Sequence, residues 1–300
     1  MAELPPDYFS SKLQFTRTLH TELYPAVDPS TPALSQAGRV VVITGASRGL
    51  GGRGIAPAFA KAGVKAIILT ARDTQKLKAV EASLNSHYPS VQTMILSVDV
   101  TDETSVATLF EQVKSRFGHA DILINNAAVN TGAGPIDETD AALWWRNFEV
   151  NVQGCFLAAR YFLRQLPEPS TPANIVNIIS NAAWEVFPTV SGYSISKLAL
   201  LQLTAHLAAG YPHVMTTCFH PGFMDTDMLL DVFRHIRQTT VELAGGVSVW
   251  LCTEPANFLR GRMMSAEWDV DELQQRQSAI QTGDILKMDL LGTFGPEQFR

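Results

Sequence analysis

The chain has 300 residues, of which 46% are hydrophobic and 17% charged, with a formal net charge of −6 at pH 7. This length allows one large α/β domain or two small ones, and the negative charge provides no basic face for nucleic acid. Three widely separated cysteines (Cys155, Cys218 and Cys252) and seven histidines without metal-ligand spacing argue against a disulfide framework and against a bound metal.

The first 38 residues precede the first recognisable strand. They begin MAELPPDYFSSKL, without the basic segment and apolar run of a secretory signal. No apolar run in the sequence approaches the ~18 residues that a membrane helix needs. We therefore expect a soluble, cytoplasmic protein with no membrane partner. We also expect residues 1–38 to be an N-terminal extension on the surface, with one short helix around Tyr8 to Leu19, and residues 39–300 to form a single domain.

From Arg39 onward, short apolar segments alternate with helical ones. The predicted strands, in chain order, are RVVVIT, VKAIILTA, VQTMILSV, ADILIN, ANIVNIIS, HVMTTCFH and GRMMSA. The predicted helices are 50–62, 74–86, 101–117, 141–166 and 193–209, with a closing helix after the last strand. Continuous apolar runs are typical of parallel strands buried on both faces. The alternation therefore predicts an α/β fold in one domain, with a doubly wound, Rossmann-type parallel sheet of about seven strands and helices on both faces.

A glycine-rich segment, TGASRGLG, joins the first predicted strand to the first predicted helix. Gly45, Gly49 and Gly51 allow the backbone to turn tightly and to approach a pyrophosphate, whose charge the N-terminus of a helix stabilises. Glycines occur in any turn, but this position after the first strand favours dinucleotide binding.

The GxxxGxG spacing of this segment resembles that of the short-chain dehydrogenase/reductase family. Other segments between Arg39 and Met228 resemble family motifs in the same order: Asp99 in SVDVTD, NNAA at 125–128, Asn151 in FEVNVQG, Ser180, YSISK at 193–197, and PGFMDT at 221–226. The tail after Trp250 is similar to that of fungal members, which points to secondary metabolism.

The resemblance implies a nicotinamide cofactor and a set of site residues. The implied catalytic residues are Asn151, Ser180, Tyr193 and Lys197. The implied cofactor-binding residues are Gly45, Ser47, Arg48, Gly49, Leu50, Gly51, Arg72, Asp99, Val100, Asn126, Ala127, Tyr193, Lys197, Pro221, Gly222, Met224 and Thr226.

The choice between NADP(H) and NAD(H) depends on charge near the adenosine ribose. NAD-preferring relatives place an acid at the end of the second strand, where this chain has Ala71 followed by Arg72. Arg48 adds a second cation, and two guanidinium groups suit a 2′-phosphate. Asp73 is the opposing charge, although it is expected to cap the next helix. We predict NADP(H), with NAD(H) as the less favoured cofactor.

A proton must reach the carbonyl oxygen when a hydride is transferred to a ketone. Tyrosine is a poor proton donor and base at neutral pH because its pKa is about 10, but a nearby cation favours the phenolate. Lys197 lies one helical turn after Tyr193 and can supply that cation. The resemblance further implies that Lys197 binds the nicotinamide ribose, that Ser180 holds the substrate oxygen, and that Asn151 supports a water linking Lys197 to solvent.

The loops that follow the predicted strands carry apolar side chains. Trp184, Phe187, Phe223 and Met228 are the predicted wall of the substrate pocket, which favours a bulky hydrophobic ketone or alcohol. The sequence thus predicts an NADP(H)-dependent ketone–alcohol oxidoreductase with Tyr193 as the general acid and base. The alternatives are an NAD-dependent alcohol dehydrogenase, a non-redox dehydratase, epimerase or cyclase on the same fold, and an NADPH-sensing binding protein. The resemblance also implies a homodimer or homotetramer formed through 141–166 and 193–209.

Overall fold

Residues 4–292 and 295–296, described by a computed structural model, contain one parallel sheet. Its strands are β1 (Val40–Thr44), β2 (Ala66–Ala71), β3 (Gln92–Ser97), β4 (Ile122–Asn125), β5 (Ala173–Ile178), β6 (Val214–His220) and β7 (Met263–Ser265). They lie in the order β3-β2-β1-β4-β5-β6-β7, and each neighbouring pair is parallel. The predicted doubly wound fold is confirmed. Because the strand order reverses between β1 and β4, a crevice opens at their carboxyl ends.

Helices cover both faces of this sheet. They are α1 (Tyr8–Lys12), α2 (Ala56–Lys61), α3 (Thr74–His87), α4 (Glu103–Phe117), α5 (Ala141–Phe148), α6 (Gly154–Gln165), α7 (Ser191–Gly210), α8 (Val241–Trp250), α9 (Val270–Gln275) and α10 (Gln277–Thr282). Asp73, Asp102 and Asp140 cap α3, α4 and α5, each by accepting hydrogen bonds from backbone N–H groups of the first turn. The capping role predicted for Asp73 is therefore confirmed.

Successive residues of each central strand enter the two cores alternately. Val41 and Ile43 of β1 belong to one apolar cluster, and Val40 and Val42 belong to the other. All five residues of β1 are buried, and the first four, Val40 to Ile43, form an unbroken apolar run.

Two of the predicted helices contain a π-helical segment. Gly51–Ile55 precedes α2, and Glu149–Gln153 lies between α5 and α6. A π-helical segment widens the turn and is often found at functional sites. The second of these segments carries Asn151.

Helix α8 is absent from the sequence-based prediction because its glycines and β-branched valines are poor helix formers. This helix packs against the π-helical segment Gly51–Ile55 almost backbone to backbone. A Cβ atom on Gly54 would lie 2.4 Å from the Val241 carbonyl oxygen, and one on Gly245 would lie 2.4 Å from the Gly54 carbonyl oxygen. Tertiary packing that only glycine permits therefore stabilises a helix that local propensity does not predict.

The expectation that residues 1–38 lie on the surface is wrong in part. Phe9, Val27 and Leu34 are buried, and Leu19 forms an antiparallel bridge with Trp268 near the other end of the chain. The segment has short turns at prolines rather than a regular period, so its buried side chains have no helical or strand spacing. Its helix is limited to α1. The division of the chain at residue 39 stays a prediction.

Within the described ranges, every helix is too short or too polar to cross a membrane. In the same ranges, His, Cys, Asp and Glu side chains do not gather in groups of three that could hold a metal ion.

Candidate active site

A cleft of about 750 Å³ lies at the carboxyl edge of the sheet and contains most of the predicted site residues. Its lining includes Gly45, Ser47, Arg48, Gly49, Leu50, Arg72, Asp99, Val100, Asn126, Ala127, Ser180, Tyr193, Lys197, Pro221, Gly222, Met224 and Thr226. Phe187, Phe223 and Met228 line it as well. Three predicted residues lie outside the lining: Gly51, Asn151 and Trp184.

The glycine loop takes a conformation that requires glycine. Gly45 and Gly49 have φ values of 66° and 53°, which side chains disfavour. A Cβ atom on Gly45 would lie 2.7 Å from the Cα atom of Ala127, and one on Gly51 would lie 2.6 Å from Asn126 Nδ2. Gly51 therefore lets the loop lie against the segment after β4, although it does not reach the cleft.

Hydrogen bonds hold the loops after β1 and β4 together. Asn126 Nδ2 donates to the carbonyl oxygens of Thr44 at 2.9 Å and Gly45 at 3.0 Å. Thr44 Oγ1 accepts from the backbone N–H groups of Asn126 and Ala127, both at 3.0 Å. Thr44 is not among the predicted site residues, although its place at the end of a buried strand beside Gly45 is a recognisable signal.

One end of the cleft is charged. The Asp99 carboxylate accepts hydrogen bonds from the backbone N–H and the hydroxyl of Thr101, at 3.0 and 2.8 Å. Burial raises the pKa of Asp99, but these bonds and the positive charges of Arg146 and Arg72 outweigh it, so the pKa lies below its usual range. Asp99 is thus a carboxylate that can accept further hydrogen bonds.

The two arginines that the sequence assigns to the ribose phosphate differ in their surroundings. Arg72 is exposed and lines the cleft beside Asp99. Arg48 forms an ion pair with Asp227 at 2.7 Å, and both side chains are more than half exposed. An exposed pair of this kind contributes little to stability, so Arg48 can exchange Asp227 for another anion at small cost.

Asn151 is fully buried and connects two parts of the site. Its side-chain oxygen accepts from the Val129 N–H at 2.9 Å, and Nδ2 donates to the Val129 carbonyl at 3.0 Å and to Ser196 Oγ at 2.9 Å. Ser196 Oγ in turn donates to the Tyr193 carbonyl oxygen at 2.7 Å. Asn151 thereby fixes the loop after β4 relative to α7.

Ser180, Tyr193 and Lys197 come together where β5 ends and α7 begins. Ser180 Oγ caps a short turn, Asn181–Ala183, by accepting from the Ala182 N–H at 3.2 Å. Lys197 Nζ lies 5.8 Å from the centre of the Tyr193 ring and donates to the Ile178 carbonyl oxygen at 2.8 Å. The i, i+4 spacing therefore places the cation beside the tyrosine, as the sequence predicted.

Burial dominates the proton affinities of this pair. It raises the pKa of Tyr193, and a hydrogen bond with Ser180 only partly opposes the effect. Burial also lowers the pKa of Lys197 to about 8. In the protein alone the pKa of Tyr193 therefore lies above its ordinary value and not below it, contrary to the expectation from Lys197. Tyr193 is thus protonated at neutral pH.

The other end of the cleft is apolar and aromatic, and Phe233 joins the predicted Phe187, Phe223 and Met228 in its lining. The prediction that Trp184 lines the substrate pocket is wrong. Its side chain packs against the core and contacts the His220 ring edge-on, with ring centres 6.0 Å apart. Its side chain is held against the core and His220, so Phe187 and not Trp184 provides the aromatic ring of this loop to the cleft.

His220, at the end of β6, is a lining residue that the sequence analysis missed. It is buried, and its Nδ1 atom has no hydrogen-bond partner among the described residues. Burial lowers the pKa of His220 to about 4, so the ring is neutral near pH 7. The apolar end of the cleft thus has a neutral, buried imidazole ring in its wall.

Comparisons with known proteins bear on the family and the fold of this chain. Residues 39–236 match the family model for short chain dehydrogenases. Short chain dehydrogenase citE from Monascus ruber is 37% identical over 280 residues, which cover 91% of this chain and 94% of the relative. Short chain dehydrogenase pigC from the same fungus is 36% identical over 300 residues, which cover 96% of each chain.

Solved bacterial structures share the fold. A short-chain dehydrogenase/reductase from Serratia marcescens superimposes with a TM-score of 0.70 at 27% identity, covering 77% of this chain and 96% of its own. A gluconate 5-dehydrogenase from Burkholderia cenocepacia, solved with NADP and tartrate, has a TM-score of 0.72 at 22% identity, covering 82% of this chain and 99% of its own.

Proposed function

Since the chain belongs to the short-chain dehydrogenase family, we propose that it is an NADP(H)-dependent oxidoreductase that interconverts a ketone and a secondary alcohol on a bulky hydrophobic substrate. The observation that carries the proposal is the meeting of Ser180, Tyr193 and Lys197 in one cleft between a charged end and an aromatic end. A role in fungal secondary metabolism is part of the same proposal, and its support is that the similar relatives citE and pigC are fungal.

The cleft fits a dinucleotide at its charged end. The positive φ values of Gly45 and Gly49 bring backbone rather than side chains to the lining, which leaves room for a pyrophosphate. Gly45, Asp99 and Asn126 would hold the cofactor, which supplies the hydride when bound. Arg72, and Arg48 once released from Asp227, are the cations available to a 2′-phosphate.

The chain's own residues provide the proton chemistry of the proposal. Ser180 and Tyr193 would hold the substrate carbonyl oxygen, and the protonated Tyr193 would donate its proton to that oxygen as negative charge develops there. The Lys197 cation would then stabilise the phenolate. Because burial places the pKa of Lys197 at about 8, the ammonium group can also return a proton near neutral pH.

The proposal is tested by following NADPH absorbance while the protein is mixed with a panel of aryl and alicyclic ketones. NADPH oxidation that depends on both ketone and protein is the expected result. Tight NADPH binding without oxidation by any member of the panel would contradict the redox proposal.

Arg72→Ala is expected to weaken NADPH binding about tenfold or more while changing NADH binding little, because a charge-assisted contact to the 2′-phosphate would be lost. Dissociation constants for both cofactors, measured by fluorescence titration, test this. Arg116→Ala, which removes a surface arginine of α4, is the control. Equal losses for the two cofactors would refute the assignment of Arg72.

We also propose that a second copy of the chain covers α5, α6 and α7. These helices expose large apolar side chains, namely Leu143, Trp145, Phe156 and Ile195. Exposed apolar groups on neighbouring elements are typical of subunit interfaces. Sedimentation equilibrium should give a dimer or tetramer for the native chain and a smaller species for Trp145→Glu; a monomeric native chain would contradict the proposal.

A further inference from the structure

Phe9, on the short helix α1, lies directly behind the aromatic wall of the cleft. Its ring stacks on Phe223 with 5.0 Å between ring centres and contacts Phe187 at 5.6 Å and Phe233 at 6.0 Å. Those three rings line the cleft, whereas Phe9 does not. Phe9 is only 7% exposed, so the back of the aromatic wall packs against the Phe9 ring and not against water.

Residues 4–13, which we call the N-terminal arm, are attached to the loops that carry this wall. The Pro6 carbonyl oxygen accepts from the Arg237 N–H at 2.7 Å, on the segment that follows β6. Lys12 Nζ forms an ion pair with Glu185 at 2.6 Å, on the loop between β5 and α7. The arm therefore contacts both loops from which Phe187, Phe223 and Phe233 project.

A third attachment is buried at the end of β7. Ser10 Oγ donates to Glu267 Oε1 at 2.6 Å, and Glu267 is nine-tenths buried. Burial raises the pKa of Glu267, while the Ser10 hydrogen bond and the charge of Arg237 act against that shift. A buried carboxyl group depends on such partners, so this contact holds the arm in one place.

The arm lies outside the part of the chain that matches the family model, which begins at residue 39. The bacterial structures cover 77% and 82% of this chain while using nearly all of their own length. The part of the chain that matches the family model therefore does not include the arm.

We infer that the N-terminal arm is a specificity element, in which Phe9 positions the aromatic wall so that the cleft accepts apolar, ring-bearing ketones or alcohols. The inference rests on the proposed function. Removing the Phe9 ring leaves a space into which Phe223 and Phe233 relax, and the wall then moves away from a large substrate. A small ketone does not reach the wall, and the proton chemistry at Tyr193 is separate from it. The loss is therefore confined to bulky substrates.

Phe15 offers a matched control on the same N-terminal segment. Its ring packs on Trp268 at 5.1 Å and lies 3.6 Å from the Arg276 guanidinium carbon, and it does not line the cleft. Phe15→Ala therefore removes a partly buried ring from the segment without removing the support of the wall. Phe9→Leu keeps apolar volume at the tested position, so its kinetics with a bulky ketone should stay close to those of the native protein.

The experiment compares native protein, Phe9→Ala, Phe9→Leu and Phe15→Ala. The Michaelis constants and kcat for tetralone and butanone are measured with NADPH, and NADPH affinity is measured by fluorescence. In Phe9→Ala we expect KM for tetralone to rise about tenfold, with butanone kinetics and NADPH affinity unchanged. Equal losses for both ketones, or the same tetralone loss in Phe15→Ala, would overturn the inference.

A second readout does not depend on turnover. Arg234 and Arg237 are exposed trypsin sites on the segment that the arm holds. Phe9→Ala should accelerate cleavage there in the folded protein, whereas Phe15→Ala should not. Unchanged cleavage in Phe9→Ala would overturn the inference even if the native protein reduces neither ketone. Absence of turnover in the native protein, with accelerated cleavage in Phe9→Ala, would instead count against the proposed function alone.

Discussion

Replacing Tyr193 with phenylalanine should lower kcat for ketone reduction by a factor of about 10² to 10⁴, the usual contribution of a positioned general acid. The variant loses one hydroxyl group and keeps the ring beside Lys197, so the fold and the cofactor end of the cleft are preserved. Steady-state NADPH oxidation gives kcat, and fluorescence titration shows whether NADPH affinity is unchanged.

Tyr211→Phe is the matched control for this variant. Tyr211 follows directly after α7, the helix that carries Tyr193, and its side chain is exposed outside the cleft. The control should retain native turnover. Turnover in Tyr193→Phe comparable with that of Tyr211→Phe would remove Tyr193 from the proposed proton transfer.

Lys197→Met should lower turnover but raise the free energy of unfolding of the protein without cofactor. Turnover should fall by a factor of about 10² or more, because the cation beside the phenolate is lost. The protein without cofactor should become more stable at pH 7. The pKa of Lys197, about 8 in the folded chain against 10.5 for an ordinary lysine, corresponds to about 3 kcal/mol for a buried ammonium group. The lost hydrogen bond to the Ile178 carbonyl offsets about 1 kcal/mol of this, leaving a gain of about 2 kcal/mol.

The stability gain of Lys197→Met should become smaller as the pH rises. Between pH 8 and 10.5 the unfolded chain binds more protons at Lys197 than the folded chain does, so native stability from this group rises with pH. The advantage of Lys197→Met is therefore full below pH 8 and shrinks as pH rises to 10.5. Urea unfolding at pH 7 and pH 10 measures it, with the exposed Lys65→Met as control. An advantage that is equal at the two pH values would contradict this account.

The sheet was predictable because the central strands are almost wholly buried and therefore appear as mainly apolar segments of four to seven residues. The positions of Gly45, Ser180 and Tyr193 were predictable for a related reason. In a parallel sheet the carboxyl ends of the strands share one edge, so residues that follow different strands meet in space. The same rule placed Phe187 and Phe223 in the cleft.

The features that escaped prediction depend on partners distant in sequence. Phe9 contacts rings that lie between residues 187 and 233, and neither its spacing nor its neighbours indicate this. Helix α8 forms because Gly245 allows contact with Gly54, not because its sequence favours a helix. The proton affinity of Lys197 depends on the depth of its burial, which the i, i+4 spacing does not express.

The contact between Ser10 and Glu267 spans 257 residues, so it cannot form until most of the chain has been synthesised. At about 5 to 20 residues per second on a ribosome, the arm waits roughly 10 to 50 s for its partner to be synthesised. Strands β1, β2 and β4 are complete long before that. The glycine loop and the segments that follow β2, β3 and β4 are therefore made early, whereas the Ser10–Glu267 contact forms only after the last strand has been made. A chain released before residue 267 has the glycine loop but lacks Glu267, so one of the three attachments of the N-terminal arm behind the substrate wall is missing.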